Sequence, residues 1–302
     1  RSVSIVNDNT ITQQSVTIDT TASLTTKANL VTASNGISNA GTLNLNAGTL
    51  ASNITGVGTT YILENVTSAV DIDQGTLDIA KTTTFQTSGD VAVSVLTINT
   101  DTTNSGSVIN TGDMFVLTTL TNNGTIQNEG TLTVSGTNSL GFITDNTTTR
   151  TGELNIAGTI TANESVAQNM INISASGSLT ADASKLSATS GIYNAGELKL
   201  TGGTLSSTVS NLTTPGTVNI DADESTVTAN ANISGNNVTL TSGTLKLNTG
   251  TFSSIAGLTA AGGSLDTQNA TAATTTTYLG NLTLNSDMAW YLDADLVNSS
   301  AD

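Results

Sequence analysis

The chain has 302 residues, of which 36% are hydrophobic, 3% aromatic and only 10% charged, and its net charge is −16. Its seven Lys and Arg residues do not cluster, so we expect neither nucleic acid nor an anionic membrane as a partner. The absence of His and Cys excludes Ser-His-Asp and Cys-His catalysis, His metal centres and disulfides. Abundant Thr, Asn, Ser and Gly predict an all-β protein with a thin aliphatic core and a polar, uncharged surface.

A short unit recurs along the chain: Gly, any residue, then an apolar, a polar and an apolar residue. The alternation predicts a strand with two inward apolar side chains, and we expect the glycine to supply a positive φ for the preceding turn. Copies of this unit begin at Gly41, Gly75, Gly130, Gly152, Gly196, Gly216, Gly243 and Gly280. Their spacing is typical of solenoid coils, and we expect about 13 to 15 coils of roughly 20 to 23 residues.

An antiparallel sandwich or barrel is the alternative for such strands, but it needs a tight hairpin roughly every 8 to 12 residues. Asn-x-Gly turns, as in Asn39-Ala40-Gly41 and Asn194-Ala195-Gly196, are more frequent here than the Asn-Gly pairs of tight hairpins. We therefore predict a right-handed parallel β-helix (β-solenoid), in which each strand pairs with its equivalent in the next coil. We expect residues 1–302 to form one domain, a single elongated rod.

Part of the chain looks duplicated. The segment Gly36–Leu45 recurs as Gly191–Leu200, and residues of about 16–62 resemble residues 171–217. The largest side chains near the carboxyl end lie in residues 286–302. We expect that segment to be a cap or junction over the open end of the solenoid.

The Asn-x-Gly-Thr-Leu unit, as in Asn128-Glu129-Gly130-Thr131-Leu132, and the Thr/Asn/Gly-rich, cysteine-free background resemble a known family. They are similar to the passenger domains of bacterial type V autotransporters and related β-strand-repeat surface adhesins, which have a pectin-lyase-like β-helix. The segment Ala289–Leu296 looks like the region before the membrane-embedded translocator of such proteins. No translocator strands follow it, and no signal-peptide pattern follows Arg1, so we expect a mature or excised fragment.

The resemblance implies an exported, extracellular virulence protein of the bacterial cell surface or cell outer membrane. There it would act as a structural or adhesive passenger-domain stalk. Its partners would be glycans or proteins of a host or neighbouring cell, or further copies of itself, engaged through weak multivalent contacts. From the residues themselves we predict no catalytic residue and no cofactor, and we expect no membrane insertion by this segment because no stretch of about 18 apolar residues occurs.

A metal site is the first candidate for chemistry in this sequence. Asp221, Asp223 and Glu224 form the densest acidic cluster, and their carboxylate oxygens are of the type that Ca²⁺ prefers. The cluster lacks the ordered spacing of an EF-hand loop, and a solvated acidic turn is the alternative. These three residues are therefore weak candidates for a calcium site.

An enzyme that acts on polysaccharides is the main alternative function, and a phage tail fibre or spike segment is another. Glycoside hydrolysis needs two carboxylates, and Asp71 with Asp73, or Asp293 with Asp295, would share one strand face. We expect these to be solvated acids that favour solubility, and we predict no enzyme activity. Outward Thr residues also suggest ice binding, but coils of irregular length argue against a regular Thr lattice.

Overall fold

A computed structural model describes residues 3–80, 82–98, 107–110, 113–122, 125–128, 131–140, 142–145, 151–211, 214–248, 252–253, 257–268, 281–284, 289–291, 294–295 and 300–301. The fold is all-β, with parallel strands stacked as a β-solenoid of about 12 turns. This confirms the predicted fold class, although the expected 13 to 15 coils were too many. Within the described residues the only helical elements are two 3₁₀ turns, η1 (Ala28–Leu30) and η2 (Ala183–Lys185).

The chain forms two compact units, residues 1–154 and residues 155–302, and each is described by itself. The strands of the first unit are β1 (Val3–Asn7), β2 (Ile11–Gln13), β3 (Val16–Ile18), β4 (Ala22–Lys27), β5 (Val31–Ala33), β6 (Ile37–Asn39), β7 (Thr42–Asn46), β8 (Gly48–Leu50), β9 (Ile54–Ile62), β10 (Val66–Ser68), β11 (Ile72–Ile79), β12 (Thr84–Thr87), β13 (Val91–Ile98), β14 (Ser107–Asn110), β15 (Asp113–Asn122), β16 (Thr125–Asn128), β17 (Thr131–Val134), β18 (Thr137–Leu140), β19 (Phe142–Thr144) and β20 (Glu153–Ile156). Strand β20 begins in the first unit and ends after residue 154, the last residue of that unit.

Strands of the second unit are β21 (Thr159–Ala162), β22 (Val166–Ile173), β23 (Ser178–Ala181), β24 (Leu186–Asn194), β25 (Glu197–Leu200), β26 (Gly203–Leu205), β27 (Val209–Ser210), β28 (Thr217–Ala229), β29 (Ile233–Ser234), β30 (Asn237–Leu247), β31 (Phe252–Ser253), β32 (Leu258–Ala260), β33 (Ser264–Asp266), β34 (Leu282–Leu284), β35 (Ala289–Tyr291), β36 (Ala294–Asp295) and β37 (Ser300–Ala301).

Each coil of the first unit contributes one strand to each of three faces. The first face contains β1, β4, β7 and the second halves of β9, β11, β13 and β15. The second face contains β2 and β5, and then β8, β10, β12, β14, β16 and β19. The third face contains β3, β6, the first halves of β9, β11, β13 and β15, and β17. All these pairs are parallel, so the polypeptide advances by one coil per circuit.

The second unit repeats this plan. Its first face contains β21, β23, β25, the first halves of β28 and β30, β32 and β34. Its second face contains the first halves of β22 and β24, and then β26, the second halves of β28 and β30, β33 and β35. Its third face contains the second halves of β22 and β24, β27, β29 and β31.

The core of each unit consists of aliphatic rows that run from coil to coil. Because alternate residues of a strand point to opposite sides of the sheet, the same apolar positions face inward in every coil. On the third face of the first unit, the inward row begins at Val16, which is half-buried. The residues that follow it in the row are all buried: Ile37, Ile54, Ile72, Val91, Met114 and Leu132. Burial of each such side chain contributes about 1.5 to 3 kcal/mol.

Buried polar side chains interrupt the aliphatic rows where the chain turns between faces. Asn39 is fully buried, and its Oδ1 accepts a hydrogen bond from the N–H of Gly41 at 3.1 Å. Its Nδ2 donates to Gln74 Oε1 at 2.8 Å and to the carbonyl of Thr59 at 3.0 Å, and Thr60 Oγ1 donates to the same Gln74 oxygen at 3.1 Å. The Asn-x-Gly motif is therefore a buried connection between successive coils.

The glycines of these turns are required for close approach and not for backbone conformation. Gly41, Gly75, Gly196 and Gly216 do not have a positive φ, so the expectation that the glycine supplies one is wrong at these positions. Cβ atoms at Gly41 and Gly196 would lie 2.2 Å from a backbone oxygen of the coil beneath. Only Gly243, among the recurring units with described glycines, has the expected positive φ, at 74°.

The two segments that resemble each other in sequence have matching local structure. The turns η1 and η2 occupy corresponding positions. In the first segment Ser52 is buried and its Oγ accepts a hydrogen bond from the N–H of Ala33 at 2.7 Å. In the second, Ser207 is buried and its Oγ accepts one from the N–H of Ala188 at 2.8 Å. The similarity thus includes buried contacts between coils as well as the strand pattern.

Residues 286–302, the predicted cap or junction, lie partly outside the described residues. Their described part contains β35, which pairs in parallel with β33, and an antiparallel pair formed by β36 and β37. Antiparallel pairing departs from the coil-on-coil pattern of the strands described above. The capping role stays a prediction.

Replacing Leu198 by Asp should unfold neighbouring coils of the second unit, because Leu198 is fully buried in an aliphatic row and an unpaired buried charge is costly. We expect the free energy of unfolding to fall by more than about 4 kcal/mol, measured by urea denaturation followed by circular dichroism. The matched control is Thr180→Asp, at a half-buried outward position opposite Lys199 in the neighbouring coil, which should change stability far less. Equal effects of the two substitutions would contradict the inward assignment of Leu198.

Candidate functional site

The three candidate calcium ligands lie on or beside one corner of the second unit, where β28 bends between the first and second faces. Asp221 is half-buried, whereas Asp223 and Glu224 are exposed. Ser242 of the next coil organises this corner: its Oγ donates a hydrogen bond to Asp221 Oδ1 at 2.7 Å and accepts one from the N–H of Asp223 at 2.8 Å. Asp223 has a positive φ of 49°, which lets the chain bulge outward there.

Asp221 is engaged by a lysine from the preceding coil. Lys199 Nζ lies 2.5 Å from Asp221 Oδ2. The hydrogen bond from Lys199, followed by that from Ser242, holds the pKa of Asp221 below its ordinary value of 3.8. The same contact with Asp221 raises the pKa of Lys199 above its ordinary value of 10.5. The carboxylate is therefore already neutralised by a cation that the chain itself provides.

This arrangement gives little support to the calcium prediction. Lys199 and Ser242 occupy both oxygens of Asp221. In the part of the chain that the structure describes, no three acidic side chains are grouped in a way that could hold a metal ion. Calcium binding by Asp221, Asp223 and Glu224 stays a prediction, and the geometry favours a solvated acidic corner.

One of the other acidic candidates, Asp71, has a structural role in the fold. Asp71 Oδ1 accepts a hydrogen bond from the N–H of Asp90 at 3.1 Å, and Asp90 Oδ1 accepts one from the N–H of Asp113 at 3.5 Å. Asn53 does the same for the N–H of Asp71 at 3.3 Å. These four residues form an Asx ladder that connects successive coils at the start of the third face. Asp73, the expected partner of Asp71, lies outside this ladder on β11.

A signal for the Asx ladder was present in the sequence. In each of these coils an Asn or Asp directly precedes the first buried residue of the third-face strand, as in Asn53-Ile54 and Asp71-Ile72. The second predicted acidic pair gives no comparable information, because Asp293 lies outside the described residues and only the backbone of Asp295 is described.

Outward-facing side chains also connect coils on the first face. In the first unit Ser23 Oγ donates to Ser4 Oγ at 2.9 Å, and Asn44 Nδ2 donates to Thr25 Oγ1 at 2.9 Å.

In the second unit a longer outward network surrounds the Lys199–Asp221 pair. Thr241 Oγ1 donates to Asn219 Oδ1 at 2.8 Å, Asn219 Nδ2 donates to Glu197 Oε1 at 3.4 Å, and Ser178 Oγ donates to Glu197 Oε2 at 3.3 Å. The outward row of this face runs through Thr161, Thr180, Lys199, Asn219, Thr239 and Thr259. Because Lys199 and Asn219 interrupt the threonines, the row disfavours the ice-binding alternative.

Among the described residues of the first unit, the exposed aromatic rings do not converge with the acids into a cleft. Phe115 lies on the third face, in the same outward row as Asp73 but two coils away, and Phe142 lies on the second face. A carbohydrate cleft usually combines stacking rings with acids in one groove. The placement of Phe115 and Phe142 therefore does not favour a glycosidase site on this unit.

The fold defines the class of protein as a parallel β-solenoid. Comparison with protein-family models, curated proteins and solved structures yields no match for this chain. Neither 3₁₀ turn within the described ranges has the length or apolar character needed to span a bilayer.

The ion pair between Lys199 and Asp221 should give stability a defined pH dependence. Because the pKa of Asp221 is lowered on folding, its contribution is present above about 3.8 and is lost as pH falls through the folded pKa. Because the pKa of Lys199 is raised, its contribution is present below about 10.5 and is lost as pH rises through the folded pKa. We expect Asp221→Asn to lower the free energy of unfolding by up to about 1 kcal/mol between roughly pH 5 and pH 9, and this difference to shrink as the pH falls below the ordinary pKa of 3.8.

Thermal melts of wild type and Asp221→Asn across this pH range measure the difference. The control is Glu224→Gln, which removes a neighbouring exposed carboxylate. A pH-independent difference for Asp221→Asn, or an equal one for Glu224→Gln, would show that the ion pair is not its source.

The Asx ladder makes a separate prediction for Asp71. Asp71→Asn keeps the Oδ1 acceptor, as Asn53 shows in the preceding coil, so we expect the free energy of unfolding to change by less than about 0.5 kcal/mol. Asp71→Ala removes the acceptor for the N–H of Asp90 and should cost about 1 kcal/mol. The control Asp73→Ala, on the same strand but outside the ladder, should cost less, and chemical denaturation compares all three. Equal losses from the Asn and Ala variants of Asp71 would rule out the hydrogen-bond role.

Proposed function

We propose that this chain is a structural and adhesive component of an extracellular bacterial surface protein, of the kind found in autotransporter passengers. The observation that carries the proposal is the alternation of buried aliphatic residues with outward polar residues in strands such as β7, β23 and β25. Inward residues are used for stacking, and outward residues such as Asn44 and Thr241 present hydroxyl and amide groups in repeated positions. This arrangement suits an outer surface of stacked strands that contacts a partner at many places.

Repeated polar groups would favour weak, multivalent binding. A single hydrogen bond contributes about 0.5 to 1.5 kcal/mol net, which is too little for stable attachment. Several equivalent contacts on successive coils raise the apparent affinity by orders of magnitude, because the later contacts form within one complex. Glycans and peptide backbones carry matching hydroxyl, amide and carbonyl groups, so glycans or proteins of another cell are the partners we propose.

The role of the acids supports a structural function over polysaccharide cleavage. Asp71, one half of the predicted carboxylate pair, accepts a backbone hydrogen bond from the next coil. Asp221 is neutralised by Lys199. Each of these carboxylates has a partner that explains its presence without a reaction.

Incubation of the whole chain with a panel of polysaccharides, host glycans and extracellular matrix proteins tests the proposal. We expect retention of the protein on one class of these partners, with a half-maximal concentration in the range of roughly 1 µM to 1 mM for weak contacts, and no release of reducing or unsaturated ends. Retention should weaken on arrays of lower ligand density, because binding depends on several contacts.

Two results would contradict the proposal. Cleavage that disappears in Asp71→Asn or Asp73→Asn would make the protein an enzyme. Absence of retention at the highest ligand density would remove the adhesive part. The Leu198→Asp variant, which we expect to unfold, serves as the control for retention that does not depend on the fold.

A further inference from the structure

The outward residues on the first face of the first unit form a surface with little charge. On β4, β7, β9, β11 and β13 these residues stand in register in two rows that run from coil to coil. One row consists of Ser23, Thr42, Thr59, Thr76 and Val95, and the other of Thr25, Asn44, Tyr61, Asp78 and Thr97. All ten are half-buried, and Asp78 is the one charged residue among them. We call these ten residues the first-face array.

The first-face array is a narrow strip of polar groups held in place. Neighbouring strands lie about 4.8 Å apart and alternate residues of a strand about 6.6 Å apart, so the strip is about 19 Å long and two residues wide. Asn44 Nδ2 donates a hydrogen bond to Thr25 Oγ1 at 2.9 Å, and Ser23 Oγ donates one to Ser4 Oγ at 2.9 Å. Side chains that are already ordered lose less conformational entropy when a ligand binds.

The corresponding surface of the second unit has a different character. On its first face Lys199 forms an ion pair with Asp221, and Glu197 accepts hydrogen bonds from Ser178 and Asn219. Charged groups are therefore present there and are engaged within the chain. The low charge of the first-face array is a property of the first unit and not a consequence of the coil plan that both units share.

Tyr61 lies at the centre of the first-face array. It is on β9, the third of the five strands, with Asn44 beside it in the preceding coil and Asp78 beside it in the next. The ring of a tyrosine can pack against the CH groups on one side of a sugar ring. An amide such as that of Asn44, and a hydroxyl such as that of Thr59, can hydrogen-bond the sugar hydroxyl groups around it. These are the groups that a sugar needs.

The geometry and charge of the first-face array select one class of polymer. An extended peptide binds by adding to the edge of a sheet, but all five strands are already paired on both sides. A polyanion would meet Asp78 and a chain with a net charge of −16. A neutral polysaccharide meets neither obstacle. In an extended β-1,4-linked polysaccharide the length of one sugar unit is close to the spacing between coils.

We propose that the first-face array binds a neutral, extended polysaccharide of β-1,4-linked hexoses. The polysaccharide lies across the strands, one of its sugars stacks on Tyr61, and Thr42, Asn44 and Thr59 hydrogen-bond its hydroxyl groups. This inference rests on the proposed adhesive function, and it names the ligand and the surface for binding to glycans.

Isothermal titration calorimetry of the whole chain with cellohexaose and mannohexaose tests the class of ligand. We expect at least one of them to bind, and to bind roughly tenfold or more tightly than its disaccharide, because the longer chain contacts several coils. Two hexasaccharides serve as controls: maltohexaose, whose α-linkages curve the chain, and hexagalacturonate, which is anionic. Both should bind at least roughly tenfold more weakly.

Variants of Tyr61 test the surface. Tyr61→Ala removes the ring and should weaken binding roughly tenfold, whereas Tyr61→Phe keeps the ring and should bind like wild type. The matched control is Tyr193→Ala. Tyr193 is also half-buried and lies beside an asparagine of the preceding coil, Asn172, but it is on the third face of the second unit. This variant should bind like wild type, and circular dichroism establishes that each variant is folded.

A second pair of variants tests the same surface without changing Tyr61. Thr59→Glu places a charge in the other row of the array and should weaken binding roughly tenfold or more, because the carboxylate would be desolvated under the ligand. Thr239→Glu makes the same change at a half-buried outward position on the first face of the second unit and should have no effect.

The outcomes against the inference are distinct. It is overturned if neither cellohexaose nor mannohexaose binds, or if maltohexaose or hexagalacturonate binds equally well. Equal effects of Tyr61→Ala and Tyr193→Ala, or of Thr59→Glu and Thr239→Glu, would also overturn it. In each case retention of the chain on another member of the wider panel would leave the adhesive function standing, whereas absence of retention on every member would remove both.

Discussion

Parallel stacking of each strand on its equivalent one coil away is the constraint from which the other features of both units follow. Strands in such a stack are separated by about 4.8 Å, so every inward position must accept a similar side chain above and below it. The row from Ile37 to Leu132 shows the result, with aliphatic residues of nearly constant volume in successive coils. A core of this kind has no place for clusters of large aromatic side chains, which explains their scarcity in the sequence.

The same constraint governs the polar residues that lie inside. A buried amide or hydroxyl group must be hydrogen-bonded, and for several of these side chains the partner lies in another coil. Asn39 meets Gln74 and the backbone of Thr59, and Ser52 meets the backbone of Ala33. These side chains fix the positions of the turns relative to the coils on either side, a task that an aliphatic row, being uniform along its length, does less well.

The strand pattern was readable from the sequence because alternation of apolar and polar residues is a local property. Gly41 and Gly196 were identified as turn residues, but the reason given was wrong, since the space that excludes a side chain there comes from the backbone of another coil. The Asx ladder was missed for the same reason: Asp71 and Asp90 are partners only after the coils have stacked. The pairing of Asp221 with Lys199 likewise joins residues from different coils, so one carboxylate of the acidic cluster forms an ion pair in the fold while Asp223 and Glu224 stay exposed.

The matching turns η1 and η2 have a consequence for how such a chain changes in length. Strand β7 of the first segment and its counterpart β25 both lie on the first face of their units, and β8 and β26 both lie on the second. Within each unit one circuit supplies a strand to every face, so an insertion of any length other than a whole circuit would turn inward side chains toward solvent. Coil stacks of this kind can be lengthened or shortened only by complete coils. When a complete coil is inserted, the flanking residues need no change, because the new coil presents its neighbours with the surface they already contact.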